Sequence, residues 1–155
     1  MLISLTLMAC LMSAQAKEGA EVKATDLIGL GFGRQNDRNR FDLILAHEIG
    51  NNWSLCCETL LSLPSDSRHI NGTHERIRSI LSVQYWPDKV FRGPMLSFGT
   101  SFSEKKGTGF RFSVGYACSI WKGLGAGLCY NSDIIKAPGQ EEAEKGTSLK
   151  LFYRF

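Results

Sequence analysis

Cysteines and histidines are the side chains in this sequence best suited to bind a metal or attack a carbonyl. Cys56 and Cys57 are adjacent, Cys118 and Cys129 stand alone, and a fifth, Cys10, lies in the first apolar run. A structural zinc site needs four such ligands, usually arriving in closely spaced pairs. No C-x-x-C, H-E-x-x-H or G-x-x-x-x-G-K-[ST] pattern occurs, so the sequence predicts no metal and no cofactor. His47 lies on an alternating segment, and His69 and His74 flank "INGT". Scattered singly, they read as surface residues, not ligands. Asn71-Gly72-Thr73 is a formal glycosylation sequon, without meaning if the source is a bacterium.

The elements that hold these residues are strands. No segment sustains a 3.6-residue period, whereas alternation of apolar and polar residues recurs along the chain. It predicts eight strands, at about 24–34, 39–49, 53–63, 76–86, 94–103, 109–120, 124–133 and 146–155. Each is about ten residues long, enough for a tilted strand to cross a bilayer. Sixteen glycines and 10% aromatics suit such a protein.

The two faces differ in kind. One carries large apolar residues: Ile28, Leu30 and Phe32 at the start, Phe110, Phe112, Val114 and Tyr116 later, and Leu149, Leu151, Tyr153 and Phe155 at the end. The other carries glycines, serines and charges. Asp42, Glu48 and Glu58 fall on it with Arg78, Arg111, Lys150 and Arg154. A membrane barrel turns the apolar face to lipid and the small and charged face inward. An eight-stranded barrel has room for side chains inside, not for a wide channel, so these charges are expected to pair across the lumen as a packed polar plug. By the same phases Cys57 and Cys118 face outward and Cys56 and Cys129 inward. A Cys56–Cys129 bridge across the lumen is the one disulfide that geometry would allow, and free thiols are the expectation.

Alternation alone does not separate a membrane barrel from a soluble one. Connection lengths and aromatic placement do. Connections such as "GNN" and "WKGL" are short, while "PSDSRHINGTHE" and "IIKAPGQEEAEK" are long and polar. Trp53, Trp86 and Trp121 sit at strand ends on the short-turn side, with Tyr85, Tyr153 and Phe155 on the same rim. Phe32, Phe41, Phe102, Phe110 and Tyr130 fall near the opposite rim. Two aromatic belts around an aliphatic band are what two membrane–water interfaces select.

The first 16 residues, "MLISLTLMACLMSAQA", form a short apolar run ending in an A-x-A pattern. They read as a signal peptide, leaving 17–155 as the barrel domain in the bacterial outer membrane. A net charge of +3 is too small to argue for nucleic acid. The partners expected are outer-membrane lipid, lipopolysaccharide above all, and no nucleic acid.

Residues 127–139, "GLCYNSDIIKAPG", resemble the lipid A 3-O-deacylases, small eight-stranded barrels of the outer membrane. That family carries His-x-Ser-Asn on its penultimate strand, then Ile-Lys-x-Pro, and a glutamate near its last strand. Here Tyr130-Asn131-Ser132-Asp133 takes the first place, "IKAP" follows, and Glu144 precedes the last strand. "GLGFGRQND", "RGPMLSFG" and "GTGFRFSVG" look like the family's first, fifth and sixth strands. The resemblance implies Ser132 as nucleophile and Glu144 as orienting acid, with Tyr130 where the base stands. Residues two apart on a strand share a face, so a His and a Ser there could exchange a proton. Tyrosine, with a pKa near 10, is a poor substitute at neutral pH.

The expected function is therefore an outer-membrane barrel related to lipid A deacylases with weak or lost hydrolase activity. The alternatives are a non-enzymatic barrel acting in membrane integrity or surface binding, an active lipid A ester hydrolase using Ser132, and a soluble secreted barrel. The closing apolar strand with its final Phe155 also resembles the signal read by the barrel-assembly machinery.

Overall fold

A computed structural model describes residues 26–36, 38–63, 77–103, 107–137 and 140–155. The leader, with Cys10, and the 64–76 connection, with His69, His74 and the sequon, lie outside them, as does Pro138 of "IKAP". The described residues form β1 (Asp26–Gln35), β2 (Arg38–Gly50), β3 (Trp53–Leu63), β4 (Ile77–Tyr85), β5 (Gly93–Ser103), β6 (Gly107–Trp121), β7 (Leu124–Ala137) and β8 (Gln140–Arg154). Every strand pairs antiparallel with its neighbours in sequence, and β8 pairs with β1 to close the barrel. The closing ladder runs from Leu27 opposite Arg154 to Gln35 opposite Gly146. Past it, Asp26 and Phe155 exchange backbone hydrogen bonds of 3.1 and 3.0 Å. Closure leaves no sheet edge along that seam.

One end of the barrel, the turn rim, carries the connections 51–52, 86–92 and 122–123. The other, the loop rim, carries the remaining four. At the turn rim Asn51 and Asn52 both have positive φ, 40° and 70°. A two-residue hairpin that follows strand twist demands this, and asparagine tolerates it.

Alternation sorts the side chains as expected. Ile28, Leu30, Phe32, Leu96, Phe98, Phe112, Leu128, Leu149 and Leu151 are exposed on the outside. Asp42, Glu58, Arg78, Arg111, Asp133 and Lys150 are buried inside. This is the inverse of a soluble barrel and fits hydrocarbon as the surrounding solvent.

The interior has two layers. Toward the loop rim it is polar. Toward the turn rim it is apolar, built from Leu27, Ile44, Ala46, Met95, Ala117 and Phe152 with Trp86, Val90 and Phe91. The last three come from the connection after β4, whose residues fold back into the barrel mouth. Trp86 is thereby a correction to the aromatic belt: it is 5% exposed and points inward. Its indole Nε1 donates to Ser54 Oγ at 3.1 Å, and its ring meets Phe91 edge-on at 5.7 Å. The reason is parity, since Trp86 continues the inward set Arg78, Ile80, Ser82 and Gln84. Trp53, Trp121, Tyr153 and Phe155 are exposed on the outside at the turn rim.

A second difference lies at the loop rim. The segment expected as a long polar loop after the seventh strand is a hairpin that continues the barrel wall. The β7–β8 ladder runs on through Ile134 opposite Ala143 and Lys136 opposite Glu141 to Ala137 opposite Gln140. β6 follows β7 as far as Thr108 opposite Lys136. Ile134 and Ile135 favour extended backbone, and polar residues are compatible with strand once the wall rises past the apolar band.

Candidate functional site

The polar layer is one connected network of ion pairs and hydrogen bonds built by alternate residues of seven strands. Arg111, on β6, grips Asp133, on β7, in a two-pronged contact: Nε donates to Oδ1 and Nη2 to Oδ2, both at 2.6 Å. Its Nη1 reaches Glu58 Oε2, on β3, at 3.2 Å. Lys150 Nζ, on β8, donates to the other oxygen of Glu58. From β4, Arg78 Nη1 donates to Asp133 Oδ2 at 3.2 Å and to Glu144 Oε2 at 3.0 Å. Gln35 Nε2 bonds the same two carboxylates at 2.8 and 3.0 Å. Gln35 Oε1 in turn accepts from Arg40 Nη1 at 2.9 Å, and Arg40 Nη2 donates to Asp42 Oδ2 at 3.0 Å.

The wall makes room for this. A Cβ on Gly31 would stand 2.8 Å from Asp42 Oδ2, so the small residues facing Asp42 are what let a charged side chain lie across the lumen. Among the described residues the layer holds Arg40, Arg78, Arg111 and Lys150 against Asp42, Glu58, Asp133 and Glu144. Four cations meet four carboxylates. Buried charge is tolerable where it is paired and hydrogen-bonded in this way.

The expected network and the observed one differ in membership. Asp42, Glu58, Arg78, Arg111 and Lys150 lie in it. Glu48 does not: it is half-buried at the turn rim, six residues from Asp42 along β2. Arg154 also ends at the turn rim, where Nη2 donates to Ser119 Oγ at 3.0 Å. At that end the lumen is the apolar layer of Trp86, Phe91 and Phe152, which separates both residues from the polar layer. Arg40, Gln35 and Asp133 are members that sequence reasoning passed over. The signal for two of them was parity: Arg40 shares a face with Asp42, and Asp133 with Asn131.

The residues matched to a catalytic triad are separated by the barrel wall. Tyr130 is 42% exposed on the outer face and Ser132 is half-buried on the same face. Glu144 stands opposite Asp133 in the ladder, and directly opposed residues share a face. Its carboxylate is inside, held by Arg78 and Gln35. Ser132 stands opposite Phe112 on one side and Lys145 on the other. A nucleophile needs its base within hydrogen-bond reach. Among the described residues neither a histidine nor a carboxylate neighbours Ser132 on the outer face, so the structure does not bring Ser132 and Tyr130 together with Glu144.

The remaining reactive residues are dispersed. Cys56, Cys57, Cys118 and Cys129 are all free thiols, the first and last buried in the lumen. His47 lies on the outer face of β2 opposite Asp26, with Nδ1 at 2.5 Å from Asp26 Oδ1. Beneath the ion pairs a cavity of about 40 Å³ remains, lined by Leu27, Phe91, Met95, Phe152 and their neighbours.

No family model matches the sequence, and a comparison with curated proteins found no match. Among solved structures the chain is similar to Neisserial surface protein A, at 9% identity and a TM-score of 0.48, over 84% of this chain and 94% of that one. It is also similar to the outer membrane channel DcaP of Acinetobacter baumannii, at 10% identity and a TM-score of 0.39. That likeness covers 89% of this chain and 49% of the channel, so the chain spans about half the channel's length.

Proposed function

We propose that this protein is a non-catalytic outer-membrane β-barrel, working through its lipid-facing wall and its loop rim, with a sealed interior. One observation carries the reading: among the described residues 25 large hydrophobic side chains are exposed on the outside of a closed barrel that buries its charges inside. Soluble proteins rarely leave apolar surface on that scale uncovered. A continuous apolar wall has one cheap solvent, a bilayer, and antiparallel barrels of this kind cross outer membranes.

The resemblance of β7 and β8 to lipid A deacylases is read as shared architecture with the reaction lost, because among the described residues neither a histidine nor a carboxylate stands beside Ser132. Recognition by the barrel-assembly machinery through the strand ending in Phe155 belongs to the same reading. Fractionation of a Gram-negative host tests it. The protein should follow the outer membrane and migrate faster in a gel when unheated; recovery from the soluble periplasm would overturn the reading. The lipid A acylation pattern, read by mass spectrometry, should be unchanged by expression. Loss of one ester-linked chain, abolished in Ser132→Ala, would restore the hydrolase.

A further inference from the structure

We propose that Cys129 and Met95 form a copper(I) site inside the barrel. The Cys129 thiolate and the Met95 thioether bind the ion at the cavity beneath the ion pairs. The site is independent of what surrounds the barrel.

The register places the two sulfur-bearing residues. Met95 on β5 stands opposite Gly115 on β6, and Gly115 stands opposite Cys129 on β7. Directly opposed residues share a face, here the lumen. The glycine between them has no side chain, and both neighbours lean over it. A Cβ on Gly115 would stand 2.8 Å from Cys129 Sγ and 3.2 Å from Met95 Cε. Both residues are buried, each 4% exposed, and Cys129 is a free thiol. Both also line the cavity of about 40 Å³, where Ala46, Ala117 and Gly127 are small neighbours. One water needs roughly 10–15 Å³, so a single ion has room.

The donor chemistry selects the ion. Thiolate and thioether sulfurs are soft, polarisable ligands and favour copper(I). Structural zinc takes four nitrogen, sulfur or carboxylate ligands, and calcium and magnesium take a shell of oxygens. A thiol and a thioether meet neither demand. The polar residues that share the lining are already engaged: Gln84 Oε1 accepts from Ser54 Oγ at 3.1 Å, and Lys150 Nζ donates to Glu58. Leu27, Ile44, Phe91 and Phe152 make up much of the remaining wall. A hydrated hard cation would lose its water there with nothing to replace it.

Charge balance points the same way. Binding is an exchange without electron transfer: copper(I) bonds to Cys129 Sγ as the thiol proton leaves to solvent. The thiolate is the form that ligates, and its charge cancels that of the ion. The interior therefore gains no net charge. Among the described residues its four cations already balance four carboxylates, and a divalent ion on the same two sulfurs would leave one buried charge unmatched. No spacing motif marks the site, because its ligands come from separate strands and one of them is a methionine.

The test uses the folded protein in detergent with C10S, C56S, C57S and C118S, which leaves Cys129 as its one thiol. Copper(I) is supplied anaerobically in competition with the chelator bathocuproine disulfonate, in one preparation after folding and in another during folding. A single ion should be retained. C129S and M95L, each added to that background, should weaken retention by at least the about ten- to hundred-fold that loss of an outer-shell partner costs a metal site. M95L conserves side-chain volume, so its loss of copper separates ligation from packing. Zinc should not be retained. X-ray absorption at the copper edge of the wild type should show sulfur neighbours without nitrogen or oxygen. Copper retained in neither preparation, retention unchanged in M95L, or zinc held as tightly as copper would each overturn the proposal. Where a variant does not fold, the wild-type absorption spectrum decides, and nitrogen or oxygen neighbours at the ion would overturn the site.

Discussion

Asp133 receives two nitrogens of Arg111 at 2.6 Å, one of Arg78 and the amide of Gln35. Removing that carboxylate would leave guanidinium groups uncompensated inside the barrel. Breaking a buried pair from one side costs about 3–5 kcal/mol, so Asp133→Leu should lower unfolding stability by that order. Urea titration in phosphatidylcholine vesicles measures it. D133L/R111M should cost much less than the two single changes added together, because the orphaned cation leaves with its partner. Much of this chemistry was visible in residue phase. Asp42, Glu58, Arg78, Arg111 and Lys150 all fall on the inward parity of their strands. Asp133 was hidden because its place in the deacylase-like motif drew attention to what it replaced rather than to the Arg111 opposite it. Glu48 and Arg154 had the right parity and the wrong height, and alternation carries no information on depth.

At the scale of strands and turns, the positions of the breaks mattered most. Starting the last strand at 146 made Glu144 a loop residue free to approach Ser132. The ladder continues to Gln140, and Glu144 then shares parity with Ser148 and Lys150, which commits it to the lumen. Polar strands above a membrane look like loops, because the hydrophobic contrast that reveals alternation is absent there. The connection after β4 shows the opposite error: Val90 and Phe91 look like exposed turn residues, yet they are 5% and 1% exposed. Phe91 holds a φ of +61°, uncommon for a bulky residue, and it persists because the ring is buried against Trp86. Phe91→Ala should therefore cost about 3–5 kcal/mol, in the range of buried aromatic truncations, with a lower urea midpoint and an intact heat-modifiable barrel. On the facing wall, a Cβ at Gly125 would stand 2.3 Å from Phe152 Cε2. Gly125→Ala should destabilise by about 1–3 kcal/mol through overpacking, and F152L should recover part of the loss in the double variant.

The whole molecule is a closed cylinder with lipid-like surface outside and neutralised charge inside, and both halves of that statement can be tested. Leu151 lies at the centre of the apolar band on β8, between Phe155 and Thr147. Leu151→Arg should cost about 2–4 kcal/mol in bilayers, the range for arginine at a membrane midplane; a soluble barrel would show almost no effect at so exposed a position. Period 2 is common to both kinds of barrel, so the sequence alone could not choose the solvent, and only the belts and connections pointed outward. Inside, among the described residues, four cations balance four carboxylates, the turn-side half is closed by Trp86 and Phe91, and a cavity of about 40 Å³ lies between. That space holds a few waters at most. Sixteen- to eighteen-stranded porins leave an aqueous channel, while eight strands leave room only for side chains. An ion crossing this lumen would have to displace paired charges and then pass an apolar layer with nothing to replace its hydration. Planar bilayers containing the protein should therefore stay silent under applied voltage, with no resolved unitary steps. Steady, ion-selective openings would mean that the Glu58–Lys150 and Arg111–Asp133 pairs separate as a gate, and the sealed-barrel reading would fail.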